Sequence, residues 1–126
     1  MCIDSAGVSG YRIPVEKELQ QASAVVIGTV LSAKPAPEPA AKVDDGTLYQ
    51  VRVDETLQGA HYKTLDLYSE NNSGRFPMDK GRQYLLFVQK NRDILYVDNC
   101  GSSGELVESR ELVRALRSKI GTKRKD

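Results

Sequence analysis

The chain has 126 residues, 40% of them hydrophobic and 28% charged, with a net charge of +1, one histidine, two cysteines and no tryptophan. That length suits one domain around one modest core. The near-neutral charge offers no large field of one sign for nucleic acid or an anionic membrane, and no apolar run approaches the ~20 residues that span a bilayer.

Cys2 follows Met1 directly, and no secretory leader is visible. Met1 reads as an added initiator, which would put Cys2 at or near the mature N-terminus. Ile13–Ala22 is predicted to be a short helix, with Pro14 at its first position and Val15, Leu19 and Ala22 on one face. Ala24–Leu31 is a β-branched apolar run that fits a buried strand, and Gly28 inside it predicts a bulge or barrel corner. Lys34–Gly46, with three prolines, reads as an exposed loop that cannot pair in a sheet. Thr47–Leu57 alternates, with Tyr49, Val51 and Val53 on one side and Gln50, Arg52 and Asp54 on the other.

Gln58-Gly59-Ala60 makes a turn, Lys63–Ser69 the next strand with Leu65 and Leu67 inward, and Glu70–Gly81 a second long loop. Gln83–Gln89 and Asp93–Asp98 are predicted to pair as a hairpin across Lys90-Asn91-Arg92, and Gly101–Gly104 to turn. Ser109 can cap a final helix whose Leu112, Val113, Leu116 and Ile120 form an apolar stripe and which Gly121 stops. The expected fold is mainly β: a five-stranded, OB-like Greek-key barrel flanked by an N-terminal and a C-terminal helix. Residues 1–121 make one domain and residues 122–126 a basic frayed tail. The expected core comprises Val26, Ile27, Val30, Val51, Val53, Leu65, Leu67, Leu86, Val88, Leu95 and Val97.

The two cysteines lie 98 positions apart, a spacing that fits neither a zinc finger nor a CxxC redox pair. A single disulfide between Cys2 and Cys100 would close a loop large enough to contribute up to roughly 4–5 kcal/mol, and it would place the protein outside the reducing cytosol. Two alternatives stay open: a lipid anchor on a mature N-terminal Cys2, as in bacterial lipoproteins, and free or metal-binding thiols. His61 has no second histidine or nearby cysteine to make a zinc or catalytic set and reads as a solvated turn residue. Neither Ser73-Gly74 nor Gly101–Gly104 forms a nucleophile elbow or a phosphate loop. Asp44-Asp45 falls in the first loop and Asp54-Glu55 at a strand end, where neighbours face apart, so neither makes a convergent acid–base pair. No catalytic residue, cofactor or metal of the isolated protein is assigned.

Tyr49, Tyr68, Tyr84 and Tyr96 could stack on single-stranded nucleic acid. However, Arg52, Lys63, Arg82 and Arg92 are interleaved with Asp54, Asp66, Asp93 and Asp98, which cancels the field and ranks this reading third. Asn71–Phe76 is a polar inter-strand loop or a binding loop; its Asn71-Asn72-Ser73 meets a glycosylation pattern that matters only in a eukaryotic secretory pathway.

An EKELQQA helix leads into SAVVIGTVLSAKP, then YQVRVDETLQG, RFPMDKGRQYLLFV and LYVDNCGSSGEL. This order over Cys2 to Leu106 resembles the bacterial relatives of the tissue inhibitors of metalloproteinases, in the netrin-module group of OB-fold barrels. The matching pieces are Ala24–Val30, Val53–Gly59 (with Gln58 where lysine is common), Phe76–Phe87 and Cys100. The resemblance implies a non-catalytic protein-interaction module, exported from a bacterial cell and binding another protein such as an extracellular or periplasmic metalloprotease. It implies that the free amine and carbonyl of Cys2 grip the protease's zinc and that Ile3 enters the specificity pocket. Asn71, Asn72, Ser73, Arg75 and Phe76 would lie beside that segment. Asp4 stands where the animal inhibitors carry a second cysteine, and at most one bridge can form here. The runner-up function is a structural or lipid-anchored envelope domain without inhibitory activity.

Overall fold

A computed structural model describes residues 13–37, 45–70 and 76–124, without the side chains of residues 36, 37, 45, 70 and 120–124. The elements run α1 (Val15–Gln21), β1 (Ala24–Pro37), β2 (Asp45–Gly59), β3 (Thr64–Glu70), β4 (Gln83–Asn91), β5 (Ile94–Val97), the two-residue β6 (Gly104–Glu105), a 3-10 turn (Leu106–Glu108) and α2 (Arg110–Arg124). The protein is mainly β. Five strands close in the order β1-β2-β3-β5-β4, and β4 returns to β1. Every pairing in this ring is antiparallel except β3 with β5, which meet in parallel at Leu67 and Leu95.

Two apolar clusters explain why β1 and β4 read as continuous hydrophobic runs. Ala24, Val26, Val30, Tyr84, Leu86 and Val88 point into the ring with Tyr49, Val51, Leu65, Leu67, Met78 and Val97. The alternate residues Val25, Ile27, Leu85 and Phe87 point outward, where they pack with Leu57, Val113 and Leu116 and with the half-buried Val15, Leu19, Ala22, Leu106 and Leu112. Strands buried on both faces lose the apolar–polar alternation of a half-exposed sheet. The expected core residues are placed correctly, although Val53 and Leu95 are only half-buried. Ala24, Val25, Leu57, Met78, Tyr84, Leu85 and Phe87 join them in the core.

The strands correct several sequence-based expectations. β1 does not stop at Leu31: Lys34, Pro35, Ala36 and Pro37 pair with Leu48, Thr47, Gly46 and Asp45, so both ends of the proline-rich stretch belong to the sheet. β1 pairs with β4 only from Ala24 to Thr29, so its distal half is an edge. An edge strand tolerates proline where the missing N–H would face outward. The register of β1 on β2 slips at Ile27/Gly28, as the glycine predicts, and again at Val25/Val26 and Val30/Ser32. A Cβ on Gly28 would lie 2.5 Å from Val51 Cγ1 and 3.0 Å from the Arg52 carbonyl oxygen, so only glycine lets β2 approach this closely.

The hairpin after β4 turns at Arg92-Asp93, one position beyond the expected turn, because Asn91 still pairs with Ile94; Arg92 takes the left-handed conformation, φ 59°. Gly104 is not in a turn but pairs with Leu85, making a sixth strand. α1 is shorter than expected, starting at Val15 after an extended Pro14 with ψ 138°. α2 passes through Gly121 to Arg124, so residues 122–124 are helical; glycine costs a helix only about 1 kcal/mol and does not oblige it to end. Residues 38–44, within the expected proline-rich loop, lie outside the described residues.

Candidate functional site

The segment between β5 and β6 leaves the wall of the ring and carries Cys100. Along one edge of β4, Val88 pairs with Val97 of β5, whereas Leu85 and Tyr84 pair with Gly104 and Glu105 of β6. The gap between them is closed by a side chain: the Phe87 N–H donates to Ser103 Oγ at 2.8 Å. Residues 98–103 therefore form a compact excursion. The Cys100 N–H donates to Asp98 Oδ1 at 2.8 Å, and the Gly101 N–H to the Asp98 carbonyl at 3.1 Å.

This excursion receives the N-terminal part of the chain. The Ile13 N–H donates to the Cys100 carbonyl at 2.9 Å, and α1 begins two residues later. Glu18, in the middle of α1, is completely buried. Its Oε1 accepts the Ser102 N–H at 2.8 Å, while Oε2 is buried with no hydrogen-bond partner among the described residues. Gly101 makes room for it, since a Cβ there would collide with Oε2. Burial raises the Glu18 pKa above its ordinary value; the Ser102 N–H opposes that shift and the Asp98 charge adds to it. α1 is held at its far end as well, because Gln58 Nε2 donates to the Leu19 carbonyl at 2.9 Å. The α1 helix and the 98–103 excursion are thus one packed unit.

Sequence reasoning missed Glu18, yet the signal was present. Val15, Glu18, Leu19 and Ala22 stand at i, i+3, i+4 and i+7, so the glutamate completes the apolar face. Cys100 is not a free thiol. Cys2, Ile3 and Asp4 lie outside the described residues, as do Asn71, Asn72, Ser73 and Arg75. Phe76, the remaining expected contact residue, is half-buried: it packs against the interior cluster and meets Tyr84 edge-on at 6.4 Å. Its N–H donates to Ser69 Oγ at 2.9 Å, which ties the end of that loop to β3.

The four tyrosines do not form a stacking platform. Tyr49 and Tyr84 are buried, and their hydroxyls accept the N–H groups of Met78 (3.1 Å) and Asp79 (2.7 Å). Burial raises the Tyr84 pKa above its ordinary value. Only Tyr68 and Tyr96 remain half-exposed. Asp54 and Glu55 lie within β2 rather than at its end, and they do not face apart: the register slip at Ile27/Gly28 leaves Asp54 as an extra residue, so both carboxylates stand on the outer side of the ring with separate partners. Asp54 accepts from Thr29 Oγ1 (2.6 Å), Arg52 Nε (2.9 Å) and Gln83 Nε2 (3.2 Å), and these partners outweigh its desolvation and lower its pKa. Glu55 takes the Arg117 guanidinium instead, which links β2 to α2. His61 is exposed. Among the described residues no cluster of three or more His, Cys, Asp or Glu could hold a metal ion, and no helix is long and apolar enough to cross a membrane. No known family matches the sequence, and no curated protein matches it either.

Proposed function

We propose that this chain is an OB-like Greek-key barrel acting outside the cytosol as a non-catalytic protein-interaction module of the metalloproteinase-inhibitor type. The observation that carries the reading is the hydrogen bond from Ile13 to the Cys100 carbonyl, which brings the start of the described chain against the residue that a Cys2–Cys100 bridge would use. The closed ring supports the barrel class, because a β1-β2-β3-β5-β4 order with one parallel contact suits a five-stranded Greek key. The fixed α1 and the 98–103 excursion support the interaction role. Binding segments anchored to a rigid scaffold lose little entropy when they dock.

By the family resemblance, the amine and carbonyl of Cys2 would be ligands to the zinc of a partner protease, and Ile3 would fill its specificity pocket. A ligating amine must be unprotonated and unblocked. The test compares a form beginning at Cys2 with the form beginning at Met1 as inhibitors of a panel of zinc metalloproteases. The Cys2 form should inhibit and the Met1 form should not, and Ile3→Gly should weaken the inhibition. If neither form inhibits any protease, the inhibitor reading is wrong and the barrel serves another use.

A further inference from the structure

The net charge of +1 conceals a segregation of charge along the chain. Residues 110–126 hold seven basic and two acidic residues, a net charge of +5, whereas residues 1–109 hold eleven basic and fifteen acidic, a net charge of −4. Within this part, Arg110–Arg124 forms α2, with Val113 and Leu116 buried beneath it. Arg110, Arg114 and Arg117 follow one another at i, i+4 and i+7 along one ridge of that helix. Arg117 is held by Glu55, but Arg110, Arg114 and Lys119 are exposed and have no carboxylate partner among the described residues. Glu111 is the acidic residue on the exposed side of the helix. Just before the helix stands Val107, 62% exposed, the more exposed of the two large apolar side chains on the described surface.

We propose that the outer side of α2 docks on a bilayer containing anionic phospholipid, with the arginine ridge against the headgroups and Val107 entering the headgroup boundary. A helix with exposed cations, preceded in the chain by an exposed apolar side chain, matches the chemistry of such a surface, although the exposed Glu108 between them opposes it. The acidic remainder of the molecule turns this side toward the lipid and the body away from it. Nucleic acid is the poorer occupant, because α2 carries no aromatic side chain for stacking on bases.

The experiment is sedimentation of the full chain with phosphatidylcholine vesicles, with and without an equal share of phosphatidylglycerol. Binding should require the anionic lipid and weaken at least tenfold between ~50 mM and ~500 mM NaCl. Arg110→Ala with Arg114→Ala should reduce partitioning about 25-fold, roughly fivefold for each cation. Glu111→Gln should strengthen it. Lys90→Ala with Arg92→Ala, which removes the same charge from the β4–β5 hairpin, should leave it within about twofold. Circular dichroism establishes that each variant is folded; if the double arginine variant is not, Glu111→Gln and the salt dependence decide. Equal binding to neutral vesicles, no binding to anionic ones, an equal loss from the hairpin variant, or tighter binding to single-stranded DNA than to the vesicles would each overturn the proposal.

Discussion

Replacing Glu18 by glutamine should make the protein more stable at neutral pH, although it alters a hydrogen-bonded residue of the core. Glu18 is wholly buried, one carboxylate oxygen takes the Ser102 N–H, and the other has no partner among the described residues. Because burial raises its pKa, the folded protein favours the protonated acid more than the unfolded chain does. The stabilising contribution of the protonated form is therefore complete below the unfolded value of 4.5 and is lost as pH rises through the higher folded value. Above that window the fold carries a buried carboxylate with one oxygen unpartnered among the described residues. A glutamine keeps the oxygen that accepts from Ser102 and removes the charge. Leaving a neutral amide short of a partner costs less than leaving a charge so, and the expected gain at pH 7 is about 1–3 kcal/mol. Urea denaturation of both proteins from pH 4 to pH 8 would show two curves that converge at the acid end and separate as pH rises. Parallel curves, or a Glu18→Gln variant weaker than wild type throughout, would show that the carboxylate is satisfied as an anion and that the reasoning is wrong.

Leu116→Ala should lower stability by roughly 2–4 kcal/mol in chemical denaturation, because Leu116 fills the contact between α2 and the outward side chains of β1 and β4. Gly59→Ala should cost more than about 1 kcal/mol in the same assay: Gly59 has φ +85°, and a Cβ there would collide with the Ser23 carbonyl oxygen. Tyr84→Phe should cost about 1–3 kcal/mol by leaving the Asp79 N–H without its acceptor, and hydrogen exchange at that amide should speed up more than in the strands.

The ring was legible where the sequence carried a period or an apolar run. Alternation in β2 placed Tyr49 and Val51 inward, and the run from Ala24 to Leu31 revealed a buried strand. The distal half of β1 was hidden because two prolines argue against a strand, and only the pairing shows that this stretch is an edge. Leu85 and Phe87 were not among the expected core residues, because only the packing shows that α1 and α2 cover the outer face of β4 as well as that of β1. Gly104 gave no sign of pairing, since a two-residue strand has no period. Of the candidate site, Cys100 stood out in the sequence, whereas the contacts around it did not. Glu18 could be found by its helical phase, but its acceptance of the Ser102 N–H depends on an 84-residue separation in sequence that no local pattern reports.

The central claim joins the N-terminal residue to the excursion that carries Cys100, with a free amine outside the cytosol. Peptide-level mass spectrometry of the native, full-length gene product under non-reducing conditions tests it most directly, because one measurement reports the first residue, any lipid on it and the bridge. The account predicts a chain beginning at Cys2 with an unmodified amine and a Cys2–Cys100 linked peptide. A lipid on Cys2, or two free thiols, would contradict it.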